Sequence, residues 1–168
     1  RCGIVVENCT FMNTLDDFIN TYNIGGRTTR RLDKHTFEIH QDNNLRIGDE
    51  MLFYDQVNKK VLGTAYLTDC QPGSEGRRIL TVDRDIEGVI SNEDGTEQPS
   101  LIYNLDSCSR GNVVRGNTFA YSRRHAFICR TPNTIFEDNT VIGCGGSAMA
   151  AMNELTETKS EGPFPSSH

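Results

Sequence analysis

"GNVVRGNTF" at residues 111–119 and "NTIFEDNTV" at 133–141 decide how this chain folds. Each alternates apolar and polar side chains as a strand does, passes through Asn-Thr, and ends on an apolar residue. "GIVVENCTF" at residues 3–11 follows the same pattern. From Asn117 to Asn139 is 22 residues. That period is too short for a pair of helices and suits one coil of three short strands joined by turns, at about 3.3 Å per residue. A single coil buries almost nothing. Stacked on copies of itself about 4.8 Å away it forms a continuous core and aligns equivalent residues into ladders. Asn8, Asn117 and Asn139 are the expected asparagine ladder, with side chains that satisfy turn backbone.

The distance from Asn8 to Asn117 is 109 residues, which exceeds one coil by 87. A separate body is therefore inserted. "RTTRRLDKHTFEIHQ", "LRIGDEMLFYDQVNKKVLGTAYLTDC" and "GRRILTVDRDIEGVI" read as short strands, separated by turn residues at Gly48-Asp49, Asn58-Lys59, Pro72-Gly73 and 92–95. Four to six strands over about 75 residues suit a small closed barrel. The expected organisation is all-β: parallel β-helix coils over 1–23 and 100–168, with a small β-barrel over 24–99. Both ends of the sequence lie within repeat material, so flanking coils are expected, because open strand edges are normally capped.

Composition narrows the function. The 168 residues carry 17 Lys and Arg against 23 Asp and Glu, a formal charge of −6. That balance argues against a nucleic-acid backbone as partner, and no apolar run approaches the roughly 18 residues of a membrane span. Cys2, Cys9, Cys70, Cys108, Cys129 and Cys144 are widely spaced, without a C-x-x-C pattern. His35, His40, His125 and His168 do not join them at metal-ligand spacing. The cysteines read as small apolar residues, with neither a disulfide framework nor a metal site indicated.

The most pointed polar feature is Asp16-Asp17, in "TLDDFINTYN" at 14–23. Counting eight residues from each ladder asparagine gives Asp16, His125 and Ser147 as one expected column, with Asp17, Ala126 and Ala148 beside it. Arg123 lies two residues before His125. Adjacent side chains of a regular strand point to opposite faces, so the two aspartates share a cleft only if a turn falls near Asn13–Leu15. An ordinary surface ladder of opposite charges would read the same way.

These stretches together resemble a known family. "VENCTF…LDDFIN", the insert with "GDEMLFYD", "IYNLDSCSRGNVVRGNTF", "SRRHAFI…NTIFEDNTVIGCGGSAMAAMNE" and "SEGPFP" are similar to the α-1,3-galactosidases of glycoside hydrolase family 110. The resemblance implies a right-handed parallel β-helix with an inserted barrel, acting on a galactose-containing glycan without a cofactor. It also implies an inverting hydrolysis of terminal α-linked galactose and a secreted, periplasmic or cell-surface setting. By it, Asp16 and Asp17 fall on the acidic pair of the active-site coil, and Asn20 closes the same motif as a substrate contact. Arg123 falls on the first arginine of an Arg-x-Arg-Gly segment, whose later positions are His125 and Ala126 here, a departure that bears on the sugar. Glycoside hydrolysis uses two carboxyl groups, one acidic and one ionised, and neighbouring like charges help to separate their roles. Converging neighbours stand closer than the about 6.5–9.5 Å that inversion needs, so the opposite carboxyl must come from elsewhere. Glu161, in "SEGP", is the expected catalytic partner, and Glu154 a further substrate contact. A polysaccharide lyase or uronate epimerase and a non-catalytic sugar-binding or adhesive β-helix are the alternatives.

Overall fold

The computed structural model describes residues 3–40, 44–156 and 160–162. Cys2, His168 and the proline of "SEGP" lie outside the described residues. The strands run in chain order as β1 (Val5–Glu7), β2 (Thr10–Met12), β3 (Ile19–Thr21), β4 (Asn23–Ile24), β5 (Gly26–Arg31), β6 (Thr36–His40), β7 (Glu50–Asp55), β8 (Lys60–Pro72) and β9 (Arg78–Val82). They continue as β10 (Leu101–Asn104), β11 (Val113–Arg115), β12 (Thr118–Ala120), β13 (Phe127–Cys129), β14 (Ile135–Glu137), β15 (Thr140–Ile142), β16 (Met149–Ala151), β17 (Glu154–Leu155) and β18 (Ser160–Gly162). The protein is all-β with a closed six-stranded barrel. It divides into two compact units.

The first unit holds residues 3–23, 108–153 and 162. It is built from three parallel ladders: β1-β11-β14, β2-β12-β15 and β3-β13-β16. Each ladder takes one strand from each of three chain segments, termed coils; the second and third are offset by the expected 22 residues, so Asn117 bonds Asn139. The first and second are offset by 108, with Val6 opposite Val114 and Phe11 opposite Phe119. This corrects the expected 109-residue offset and removes Asn8 from the ladder. The observed column is Cys9, Asn117 and Asn139. Cys9 N–H donates to Asn117 Oδ1 (2.9 Å) and Asn117 N–H to Asn139 Oδ1 (2.9 Å), while the two side-chain amides donate back to Val6 O (2.9 Å) and Val114 O (2.8 Å).

Asn8 has a different task. It stands with Gly116 and Asp138 in a column of left-handed residues, at φ 53°, 65° and 52°. Glycine, asparagine and aspartate tolerate that conformation best, which is why these types occupy the turn between the first two ladders. Inside, Phe11 stacks on Phe119 (centroids 5.2 Å apart) and Phe127 on Phe136 (5.6 Å), around buried Val114, Phe119, Ala126, Phe127 and Cys129. Apolar residues at every second strand position therefore give one continuous interior, the driving term for stacking.

The second unit holds 24–40, 44–107, 154–156 and 160–161. Its barrel closes in the order β10-β5-β6-β9-β8-β7 with antiparallel pairing throughout. Alternation sends Phe37 and Ile39 of β6, Met51 and Phe53 of β7, Ala65 and Leu67 of β8, and Leu80 and Val82 of β9 inward. The expected return to the coils at residue 100 is corrected: Leu101–Asn104 is a barrel strand, bonded to both β5 and β7, because its pairing partners are needed to close the barrel edge. Residues 154–156 and 160–161 likewise belong to this unit, with Gly25 N–H donating to Ser160 O (2.9 Å). Cys9, Cys70, Cys108, Cys129 and Cys144 are free thiols.

Candidate functional site

Between β2 and β3 the chain bends at residues 15–16, after a left-handed Asn13 (φ 60°). The bend lets both aspartates turn toward the next coil. Their register partners follow from the 108-residue offset: Asp16 stands against Arg124 and Asp17 against His125. The expected column of Asp16, His125 and Ser147 is therefore corrected to Asp17, His125 and Ser147. A one-residue slip exchanges every neighbour in a parallel stack.

Arg124 joins the pair. Its Nη1 lies 3.3 Å from Asp16 Oδ1 and its Nε 3.9 Å from Asp17 Oδ1. The two carboxylates differ in surroundings, since the Asp16 side chain is 71% exposed and that of Asp17 only 8%. Asp17 Oδ1 accepts the backbone N–H of His125 (2.9 Å), and Asp16 Oδ1 accepts that of Asp17 (2.9 Å). Ser122 completes the support: its hydroxyl donates to Asp16 O (2.8 Å) and accepts from Arg124 N–H (2.9 Å). Asp17 is thus a staple between coils, and Asp16 is the exposed carboxylate of the pair.

His125 repeats the stapling one coil on. Ser147 N–H donates to its Nδ1 (2.9 Å), so Nδ1 is the unprotonated nitrogen and the ring proton sits on Nε2. Gly146 makes this approach possible, since a Cβ there would meet His125 Nδ1 at 2.7 Å. Here the glycines of "GCGGS" serve close packing between coils.

The remaining expected residues divide. Arg123 is exposed, in register with Leu15 rather than with an aspartate, and its backbone N–H donates to Thr14 O (3.1 Å). Asn20, on β3, accepts from Arg130 Nη1 (2.7 Å) through Oδ1. Ala126 is fully buried in the coil core and is no part of a polar wall. Glu154 and Glu161 face each other as a cross-strand pair between β17 and β18, in the barrel unit. Directly opposed side chains of an antiparallel pair stand about 4.5–5.5 Å apart at Cβ, so the two side chains leave the same face of the pair. Ser122 was missed, and Arg124 reads in the sequence only as a basic spot beside Arg123 suited to an anion or sugar contact, not as the partner of the aspartates. The signal for them was the ungapped match of "VVENCTF" with "VVRGNTF", which yields the 108-residue offset directly.

Among the described residues no group of three or more His, Cys, Asp or Glu is gathered to hold a metal ion, and no helix is long and apolar enough to cross a membrane. Compared with known proteins, the chain matches no protein-family model and no curated protein.

Proposed function

We propose that the first unit is a segment of a right-handed parallel β-helix and that its 13–17 and 121–125 turns form part of a sugar site. The reading is an inverting glycoside hydrolase that releases terminal α-linked galactose, as the resemblance to family 110 implies. One observation carries it: a single guanidinium, Arg124, bridges an exposed Asp16 and a half-buried Asp17, whose side chain is largely covered, at a bend between stacked coils. In this reading Asp16 is the carboxylate that orients and activates water, and Arg124 holds it while offering donors to sugar hydroxyls. Asp17 and His125 fix the turn through their bonds to the following coil.

Inversion needs a second carboxyl about 6.5–9.5 Å from the first, which an adjacent residue held in the coil stack does not supply. Glu161 is the residue of this chain that the resemblance assigns to that role. The test is release of galactose from an α-1,3-linked galactobiose by the full-length protein. Asp16→Asn should lower turnover at least about 10²-fold, the lower end for a general base. Glu161→Gln decides whether the acid belongs to this chain, and unaltered turnover in both variants would sink the reading. A second reading is favoured by the commitment of Asp17 to backbone: a non-catalytic sugar-binding coil, which would bind the disaccharide and never cleave it.

A further inference from the structure

One column of the first unit carries two staples of the same shape and different chemistry. Asp17 Oδ1 accepts the backbone N–H of His125 (2.9 Å), and His125 Nδ1 accepts the backbone N–H of Ser147 (2.9 Å). The three residues are in register, so each side chain reaches the peptide of the next coil. The acceptor of the first staple is a carboxylate, and that of the second is the bare nitrogen of a neutral imidazole. Of the two, imidazole is the group whose ordinary charge change falls between about pH 5 and pH 8.

Protonation has one place to go. The ring proton already sits on Nε2, so an added proton takes the Nδ1 lone pair that holds Ser147 N–H. An imidazolium has two N–H donors and no acceptor, and two donors then face each other. The Nδ1–Cε1 edge of the ring lies against Gly146, where a Cβ would meet Nδ1 at 2.7 Å and Cε1 at 2.9 Å, so the repulsion falls on the 145–147 turn. The charged groups around the ring are Asp16 and Asp17 on the first coil and Arg123 and Arg124 in its own turn; the aspartates favour the imidazolium and the arginines oppose it. The third coil adds the Cys144 thiol, in register with Ser122. The rest of the turn is held by backbone bonds that do not titrate: Gly145 N–H to Ser122 O (2.9 Å), Gly146 N–H to Arg124 O (2.9 Å) and Ala126 N–H to Ser147 O (3.2 Å). Loss of the imidazole bond is therefore a local change.

We infer that His125 is an acid-sensitive staple: protonation of its ring releases Ser147 and loosens the 145–147 turn, while the Asp17 staple and the paired strands stay in place. The bond needs the neutral ring, so its contribution is present above the ordinary imidazole value of about 6.5 and is lost as the pH falls below it. The device is independent of the function proposed above. Because Gly146 N–H donates to Arg124 O, the loosened turn borders the residue that bridges the two aspartates, and that pair gains a pH-dependent neighbour.

Proton–nitrogen NMR spectra of the full chain, titrated from about pH 8 to about pH 5, follow the staple directly. The Ser147 amide proton should move upfield along the same curve as the His125 ring nitrogens. Its protection against exchange, corrected for the intrinsic rate, should fall about 2- to 10-fold, the worth of one net hydrogen bond. The amide of Phe53, in the barrel core, should show neither change. His125→Asn supplies the control, because its Oδ1 stands the same number of bonds from the backbone as Nδ1 and is an acceptor that does not titrate. In that variant the Ser147 amide should keep its downfield position and its protection at both ends of the range. A Ser147 amide that ignores the titration of the ring, a ring that stays neutral at about pH 5, or the same pH response in His125→Asn as in wild type overturns the staple.

Discussion

Asn117→Ala tests the register on which the whole site depends. Asn117 is 1% exposed and joins three partners: Oδ1 accepts from Cys9 N–H, and Nδ2 donates to Val6 O and to Asn139 Oδ1, each at 2.9 Å. A neutral hydrogen bond contributes about 0.5–1.5 kcal/mol net, so three amount to roughly 3 kcal/mol. Cys9 is exposed and Val6 half-buried, so water recovers part of the loss and about 2 kcal/mol is expected. That corresponds to a fall in melting temperature of about 4–8 °C for a chain of this length. Since the chain holds two compact units, the readout belongs on the first: amide exchange at Cys9 and Phe119 should accelerate, whereas Phe53 in the barrel should not change. The control is Asn8→Gly. Asn8 sits in the left-handed column, so glycine there should change stability by less than about 0.5 kcal/mol. If Asn8→Gly destabilised the unit as much as Asn117→Ala, the ladder would run through Asn8, and the pairing of Asp16 with Arg124 would be wrong.

Three further outcomes follow from the same geometry. Asp17→Ala should destabilise the first unit by about 1–3 kcal/mol, since it orphans the His125 N–H, whereas Asp16→Ala removes an exposed ion pair worth about 0–1 kcal/mol and an exposed bond from Asp17 N–H that water can replace; paired urea titrations separate them. Nitrogen NMR of His125 should show the Nε2–H tautomer in wild type, and Gly146→Ala, which crowds Nδ1, should disturb that signal. In the barrel, burial pushes the Glu38 carboxyl up, but hydrogen bonds from Thr29, Ser74 and Arg77 outweigh it and hold it below the ordinary glutamate value of 4.5. The folded-state value is depressed, so its stabilisation is complete above about pH 4.5 and is lost as the pH falls through the folded value. Glu38→Gln should therefore lower barrel stability at neutral pH and flatten its acid dependence, measured by urea midpoints between pH 3 and pH 7, on the order of the carboxylate's titration range.

The sequence by itself determined the 22-residue strand period, the presence of a small barrel and the alternation that fills it. Each is a local property: the 22-residue repeat lies in contiguous chain, and inward residues such as Phe37, Ile39, Met51 and Phe53 follow from a side-chain period of two. It also made a turn near Asn13–Leu15 the condition for Asp16 and Asp17 to share a cleft, and the chain bends there. Tertiary structure decided what a count along the chain could not. The first coil meets the second only after the barrel has been traversed, so their offset is set by which strands pair, with Val6, Val114 and Phe136 sharing one core column. Aligning asparagines moved that offset by one residue, which was enough to give Asp16 the wrong partner and to miss its pairing with Arg124. Closure of the barrel claimed Leu101–Asn104, because an unpaired edge needs a partner wherever the chain supplies one. The left-handed conformation of Tyr121 was equally hidden, since nothing in its flanking residues demands it; the demand comes from Asn13 and Gly143 on the neighbouring coils. Residues remote in the chain impose register, edge pairing and turn conformation, and none of these is written in the segment that obeys them.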